Sequence, residues 1–272
     1  MFVFERGGAV PGIISVRFGV VPQRHLAGTA SAASAMTSAV ANEYSRRWFG
    51  SFLETIPADW TADEVAAIRQ RLPLPEFRRL LDICCGSGRH AGLLATCGYE
   101  VTGIDRDADA IERATNRVPS GSFLVLDQRH LASLSTQFDA AMILWQSFGY
   151  FDPATNDQVL RDVAGLLRQG GRLLLDLYHP GFVEAHAGTQ TTVRAPDCRS
   201  ITNVVESGRL ISTIEYEDGS RESMEFEFLD PDDLATRASR HGLSAIQACS
   251  WWDASRRPSA EDQRYQLVLQ RH

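Results

Sequence analysis

The 272-residue sequence contains no lysine, so all 27 of its Lys and Arg positions are arginines. The absence of lysine excludes Schiff-base and pyridoxal chemistry, and it excludes a P-loop lysine for nucleoside phosphates. Cysteine is also scarce: the five cysteines are odd in number and lack the paired spacing of a metal site. Cys84 and Cys85 are adjacent in a segment typical of a buried strand and turn. We therefore expect reduced thiols, no bound metal and a cytoplasmic location.

Long apolar runs and basic charge are lacking too. No stretch approaches the roughly 20 apolar residues that a membrane-spanning helix needs. The 34 acidic residues outnumber the 27 arginines and give a formal net charge of -7, whereas a nucleic-acid surface requires a sustained basic face. We therefore expect neither a membrane nor a nucleic acid as partner. The chain is long enough for one large core with a small cap, as a monomer or a homodimer.

A glycine turn follows an apolar segment in the run Leu80-Leu81-Asp82-Ile83-Cys84-Cys85-Gly86-Ser87-Gly88-Arg89-His90. Gly86 and Gly88 allow the backbone to turn tightly against a ligand, while the helix that follows offers free N–H groups, so we expect a nucleotide-like ligand. The pattern Gly86-x-Gly88-x-x-Ala91 also satisfies the dinucleotide motif of NAD enzymes. Asp82 favours a different ligand, because a carboxylate four residues before the first glycine would lie unfavourably near a pyrophosphate.

The segment from Asp82 to Gly88 resembles the first motif of the class I S-adenosylmethionine-dependent methyltransferases, whose form is often Asp-x-x-Cys-Gly-x-Gly. S-adenosylmethionine carries an ammonium and a sulfonium, which attract a carboxylate, and it carries no phosphate. The resemblance implies that Asp105, roughly 20 residues after the glycine turn, holds the ribose hydroxyls. It also implies that Asp127, after the third strand, accepts from the adenine amino group. Acids that follow strands can also reflect polar loops alone.

Two sets of candidate site residues follow from this resemblance. The cofactor set comprises Asp82, Cys84, Gly86, Ser87, Gly88, Asp105, Arg106, Asp127, Gln128 and Trp145. The acceptor set lies after the fourth strand and in the N-terminal lid, and it comprises Gln146, Ser147, Phe148, Tyr150, Tyr44 and Trp48. The aromatic members of this set are equally compatible with simple packing. The segment after the fourth strand lacks the Asn/Asp-Pro-Pro turn of DNA amine methyltransferases, the Pro-Cys turn of cytosine-C5 enzymes and an acid that would hold a metal.

Methylation of a hydroxyl or a protonated amine would require a proton acceptor. His179, directly after the fifth strand, is the best candidate because a neutral imidazole accepts a proton near pH 7. Tyr178 is the alternative base. A histidine before a proline is also typical of a loop cap, and that interpretation stays open.

Alternating strand and helix patterns between residues 79 and 178 predict a parallel sheet with helices on both faces. We expect an α/β fold of the Rossmann-like, doubly wound kind, with seven mostly parallel strands. The expected ranges are a disordered extension or misplaced start at 1–35, a helical lid at 36–78, the cofactor-binding core at 79–180, an antiparallel β-rich cap inserted after the fifth strand at 181–229, and completion of the core sheet at 230–272. Thr61 and Glu64 predict a capping box for the second lid helix.

The resemblance implies transfer of a methyl group from S-adenosylmethionine to O, N or C of a small molecule, with sugars and natural-product intermediates as candidate acceptors. A non-catalytic module that binds S-adenosylmethionine is one alternative. An NAD(P)-dependent reductase is the other.

Overall fold

A computed structural model describes residues 46–53, 55–190 and 197–272. The expected extension at 1–35 and the candidate residue Tyr44 lie outside these residues. Within the described ranges, no helix combines the length and the apolar character that crossing a membrane requires.

Eleven strands are present in the described ranges. They are β1 (Arg79–Ile83), β2 (Glu100–Asp105), β3 (Ser122–Val125), β4 (Phe138–Ile143), β5 (Leu167–Tyr178), β6 (Gly188–Gln190), β7 (Cys198–Glu206), β8 (Arg209–Tyr216), β9 (Arg221–Glu227), β10 (Leu243–Ser250) and β11 (Arg264–Arg271). Seven of them form the main sheet in the order β10-β11-β5-β4-β1-β2-β3. All neighbours are parallel except β11, which runs antiparallel to both β5 and β10. The seven-stranded, mostly parallel sheet predicted from the sequence is confirmed.

Helices cover both faces of this sheet. They are α1 (Arg46–Leu53), α2 (Ala58–Arg71), α3 (Arg89–Thr96), α4 (Ala108–Arg117), α5 (Pro153–Leu166), α6 (Pro180–Ala185) and α7 (Pro231–Ser239), with a 3-10 helix at Gln128–Ser133. Alternate residues of β5 belong to different cores: Leu173 and Leu175 lie in one, and Leu174 lies in the other. Every residue of β4 is buried, and burial on both faces explains why all of them except Asp139 are apolar.

Aspartates fix where the helices begin. Asp107, Asp152 and Asp230 each accept a hydrogen bond from a backbone N–H of the first turn of the helix that follows. In α5 and α7 a proline stands directly after this aspartate, where its missing N–H costs nothing. The caps at Asp107 and Asp152 end the loops after the parallel strands β2 and β4, at the edge where ligands bind in such sheets.

The cap is a second, antiparallel sheet in the order β6-β7-β8-β9. It is inserted between α6 and α7, after the fifth strand of the main sheet, as the sequence predicted. The turn between β7 and β8 contains Ser207 and Gly208, both with positive φ (51° and 75°), as a tight hairpin requires.

Helix α1 joins the main sheet to the cap through two neighbouring arginines. Arg46 forms ion pairs with Asp107 at 3.5 Å and Asp109 at 3.1 Å, just after β2. Arg47 pairs with Asp197 at 2.7 Å and Asp218 at 2.9 Å, next to and within the cap. One short helix therefore bridges the loop after β2 and the β-rich insertion.

One local prediction was wrong. Helix α2 begins at Ala58 after Pro57 without a side-chain cap, so Thr61 and Glu64 lie inside the helix and form no capping box. Proline sets the start of the helix, and the Glu64 carboxylate is engaged by distant residues instead. Helix α6 begins directly after His179, at the start of the range predicted as the β-rich cap; a proline at its first position favours the helix.

Candidate active site

The glycine loop between β1 and α3 adopts a backbone that favours glycine. Gly86 and Gly88 have φ of 54° and 72°, and Cys84 before them has 61°. A Cβ on Gly88 would lie 3.1 Å from the Cβ of Ala114, so the loop packs closely against α4. Burial, with the charges of Asp105 and Asp127, raises the pKa of the Cys84 thiol well above its usual range. Cys84 is therefore a neutral packing residue of the loop.

Asp105 holds the glycine loop in this conformation. Its carboxylate accepts hydrogen bonds from the backbone N–H groups of Gly86 and Asp107, both at 2.9 Å. Burial raises the pKa of Asp105, and the two hydrogen bonds only partly offset the increase. Each carboxylate oxygen has a second lone pair that can accept a hydrogen bond from a ribose hydroxyl. That contact stays a prediction. Arg106, the next residue, is exposed.

Asp82 lies in β1 directly beneath this loop and is only 3% exposed. Burial raises its pKa to about 8, and the charge of Asp105 adds to the shift, while Arg89 opposes it. The carboxyl group is therefore costly to ionise in the protein alone. A cationic ligand beside Asp82 would favour the ionised form.

Asp127 and Gln128 are engaged within the protein. The Asp127 carboxylate accepts from the backbone N–H of Arg129 at 2.9 Å and from its guanidinium at 3.0 and 2.8 Å. Burial would raise the pKa of Asp127, but the Arg129 hydrogen bonds lower it overall. Gln128 donates from its side-chain amide to the Ser147 carbonyl at 2.9 Å. Both residues lie at the expected strand end, and their contact with adenine stays a prediction.

A buried charged cluster, which we call the Glu64 cluster, ties α2 to the carboxyl edge of the sheet. Glu64 accepts from the indole N–H of Trp145 at 2.8 Å and lies 2.8 Å from Nε2 of His90. Arg89 and Arg264 approach it at 3.2 and 3.4 Å. Burial would raise the pKa of Glu64, but the His90 hydrogen bond and the two guanidinium charges hold it well below its usual range. Burial lowers the pKa of His90 to about 4, so the imidazole is neutral and donates to Glu64.

Trp145 is fixed on several sides by this cluster and its neighbour Asp176. The guanidinium groups of Arg89 and Arg264 lie 4.5 and 4.8 Å from the centre of the indole. The Trp145 backbone N–H donates to Asp176 at 3.0 Å, and Arg264 pairs with the same carboxylate. Sequence reasoning missed Glu64, Asp176 and Arg264, because their contacts join α2, β5 and β11.

The segment after β4 is pinned between β5 and the cap. Trp145 and Gln146 both have positive φ (54° and 63°), and the Gln146 N–H donates to the Asp176 carbonyl at 3.1 Å. The Gly149 carbonyl accepts from Glu227 of β9 at 2.7 Å. Consecutive non-glycine residues in this strained conformation are typical of functional sites.

Aromatic candidates for acceptor contact differ in their exposure. Tyr150 is half-buried and packs against Phe226 of the cap, with ring centres 4.5 Å apart. Phe148 is only 2% exposed in the hydrophobic core, which argues against the expected acceptor contact. Trp48 is 1% exposed and stacks on Phe52 at 5.2 Å. Phe148 and Trp48 are therefore packing residues, which is the alternative that the sequence left open.

The candidate base His179 lies at the same edge, one residue after β5. Its backbone N–H donates to the backbone carbonyl of Gln263 at 3.0 Å. The Nδ1 atom of its imidazole is buried and has no hydrogen-bond partner among the described residues. Tyr178 is buried at 5% exposure. His179 thus has an available ring nitrogen, although it also occupies the position just before α6 that the loop-cap interpretation predicted.

A family model described as a methyltransferase domain matches residues 80–171 of this chain, from β1 through the start of β5. This segment is therefore a methyltransferase domain. The chain is 35% identical over 129 residues to the putative methyltransferase YqeM of Bacillus subtilis, covering 46% of this chain and 51% of that protein. It is 32% identical over 105 residues to the demethylmenaquinone methyltransferase of Thermotoga maritima, covering 38% and 44% of the two chains.

Solved methyltransferases share the fold over most of the chain. The CcbJ methyltransferase of Streptomyces caelestis superposes with a TM-score of 0.68 at 16% identity, covering 82% of this chain and 96% of that one. The amino pentose methyltransferase CalS10 of Micromonospora echinaspora gives 0.63 at 19% identity, covering 85% and 99%. The chain spans about half the length of the curated relatives it matches.

Proposed function

We propose that this methyltransferase transfers a methyl group from S-adenosylmethionine to a small-molecule acceptor. The observation that carries the proposal is Asp82, a buried carboxyl with a raised pKa beneath a glycine loop. A pyrophosphate would add negative charge to the pair Asp82 and Asp105, whereas the cations of S-adenosylmethionine would relieve their repulsion. The residues therefore fit a sulfonium cofactor better than a dinucleotide.

Asp82 would bind the ammonium group of the cofactor, and Asp105 the ribose hydroxyls. When bound, the cofactor supplies an electrophilic methyl carbon on sulfur. The protein then has to hold the acceptor atom in line with that carbon and exclude water. The segment after β4 and the cap above it are suited to this task, because Gly149 and Tyr150 already contact β9.

The proton balance assigns a role to His179. The acceptor atom forms a bond to the methyl carbon while the carbon–sulfur bond breaks, and the sulfur leaves as a neutral thioether. An acceptor hydroxyl or ammonium must also lose a proton, and the Nδ1 atom of His179 is the base that we infer. Its lack of a partner among the described residues supports this role.

The acceptor class is inferred from similar proteins and from the cap. CalS10 is described as an amino pentose methyltransferase, and KedS8 of a Streptoalloteichus species as a sugar N-methyltransferase. We therefore infer a sugar or natural-product intermediate as the acceptor. The five cysteines are free, as the proposed cytoplasmic location requires.

Calorimetric titration tests the cofactor site. We expect S-adenosylmethionine and S-adenosylhomocysteine to bind with micromolar affinity, and Asp82→Ala and Asp105→Ala to lose binding. Asp139→Asn is the matched control, since this acid lies near the start of β4 and pairs with Arg168 at 2.9 Å. Its affinity should match that of the unmodified protein. Binding of NADH alone would overturn the proposal, and release of S-adenosylhomocysteine on addition of acceptors separates an enzyme from a binding module.

A further inference from the structure

Two glutamine amides and one imidazole nitrogen are buried without hydrogen-bond partners at the carboxyl edge of the sheet. They are Nε2 of Gln146, Nε2 of Gln263 and Nδ1 of His179, and no described residue bonds to them. Gln146 and Gln263 are only 9% and 4% exposed. A buried amide N–H without a partner destabilises a protein, so such groups are rare unless a ligand or water completes them.

Backbone hydrogen bonds place His179 beside Gln263 and attach Gln146 to the carboxyl-terminal part of β5. The His179 N–H donates to the Gln263 carbonyl at 3.0 Å, which joins the end of β5 to the segment before β11. The Gln146 N–H donates to the carbonyl of Asp176 at 3.1 Å, which joins the end of β4 to β5. Gln146 is held there in a left-handed conformation, with φ of 63°. Strain of this kind persists where the surrounding contacts enforce it.

The charged groups next to these residues are already paired. Asp176 is neutralised by Arg264, whose Nε lies 2.9 Å from it, and it also accepts from Gln266. Glu64 is neutralised by Arg89 and by Arg264. Among the described residues, these pairs neutralise Asp176 and Glu64, and the three atoms without partners belong to amide and imidazole groups.

We propose that Gln146, His179 and Gln263 form the acceptor subsite and select the acceptor through uncharged hydroxyl or carbonyl oxygens. This inference rests on the proposed methyl transfer. An amide N–H donates to such an oxygen, and a hydroxyl can also donate to the imidazole nitrogen. An acceptor carboxylate would have no cation of the subsite to pair with. Gln263 is thereby assigned as a specificity-determining residue.

Gln266 shows how a structural glutamine differs at nearly the same place. It lies three residues from Gln263 and is 1% exposed. Its amide donates to Asp176 at 2.8 Å and accepts from the Trp252 N–H at 2.7 Å. Both of its polar ends are therefore satisfied within the protein.

Replacing each glutamine with methionine tests this difference without knowledge of the acceptor. In thermal unfolding of the full chain, Gln263→Met should keep or raise the melting temperature by about 2–4 °C, because it removes an unsatisfied buried amide. Gln266→Met should lower the melting temperature, because the Asp176 carboxylate and the Trp252 backbone N–H would each lose a hydrogen-bond partner. An equal loss in both variants would mean that protein groups satisfy Gln263 in solution, and it would overturn the assignment.

An acceptor panel tests the chemical class. Neutral sugars and phenols are compared with the matching carboxylic acids and deoxy analogues, and release of S-adenosylhomocysteine is measured. We expect turnover of neutral hydroxyl compounds, with kcat/KM at least tenfold lower in Gln263→Met and unchanged cofactor affinity. The inference would be overturned if only the carboxylic acids, or no neutral compound, were methylated. Equal kcat/KM values for the unmodified protein and Gln263→Met would overturn it as well. If the unmodified protein does not bind S-adenosylmethionine at all, the proposed function itself is refuted.

Discussion

Changing Asp82 to Asn should stabilise the ligand-free protein, and increasingly so as the pH rises. Asp82 is buried in β1, and burial together with Asp105 raises its pKa from 3.8 to about 8. Between these two values the unfolded chain has lost the proton that the folded chain still holds. The free energy of unfolding of the unmodified protein therefore falls with pH in this window, whereas an asparagine does not titrate.

The magnitude follows from proton linkage. One proton changes the free energy of unfolding by about 1.4 kcal/mol for each pH unit over which the two states differ in protonation. From about pH 4 to pH 8 the advantage of Asp82→Asn should grow by on the order of 5 kcal/mol and then level off. Asp105 is present in both proteins, so most of its own titration cancels in the difference.

Urea unfolding of both proteins at several pH values between 5 and 9 measures this difference. Asp176→Asn is the control, because that buried carboxylate pairs with Arg264 and its loss should destabilise the protein throughout the range. A difference between Asp82→Asn and the unmodified protein that does not change with pH would refute the assigned cause. It would mean that Asp82 is ionised and compensated in the free protein.

The same carboxyl links cofactor binding to proton release. If a cation binds beside Asp82, it lowers the pKa of the carboxyl, so binding at pH 7 should release close to one proton. Affinity should rise as the pH increases toward 8. Calorimetry in two buffers with different ionisation enthalpies gives the proton count directly. Release should vanish in Asp82→Asn, and equal release in both proteins would exclude Asp82 as its source.

Three further predictions concern the loop, the lid and the base. Glu64→Gln should lower the free energy of unfolding by about 3 kcal/mol because it leaves buried cations unpaired, whereas the exposed Glu76→Gln should change it by less than about 0.5 kcal/mol; similar values in urea unfolding would contradict the role of the Glu64 cluster. Gly88→Ala should cost about 1–2 kcal/mol at its φ of 72°, whereas Gly50→Ala, with open space in α1, should stabilise the protein by about 0.5–1 kcal/mol; equal changes would argue against backbone strain. His179→Ala should reduce turnover at least tenfold with cofactor affinity intact, and unchanged turnover would remove it as the base.

Local patterns were sufficient to predict the cofactor half of the fold. The glycine turn, the acid in β1 and the strand before it all lie within Leu80 to Gly88, so their spacing is visible in the sequence. The alternation of strands and helices predicted between residues 79 and 178 is observed, beginning with β1 at Arg79–Ile83. Alternation of such elements fixes the parallel sheet because few topologies join them.

Contacts between distant residues could not be predicted in this way. Glu64 and Arg264 are separated by 200 positions, and the local sequence of Glu64 is equally typical of a helix cap. Gln263 precedes the last strand with no motif around it, and its unsatisfied amide is visible only once β5 lies beside it. Asp127 shows a local limit as well, because Arg129, two residues away, occupies the carboxylate that the pattern assigned to a ligand.

The bridging helix α1 should make the link between the loop after β2 and the cap sensitive to salt. Arg46 and Arg47 hold the loop after β2 and the cap together through ion pairs that lie largely at the surface. Exposed pairs of this kind each contribute less than about 1 kcal/mol and are screened at high ionic strength. Together the ion pairs of Arg46 and Arg47 hold the two regions in contact. Each single pair is weak, so dissolved ions that compete for the arginines can separate the regions. Added salt should therefore weaken the attachment of the cap to the loop after β2, although each single ion pair contributes little.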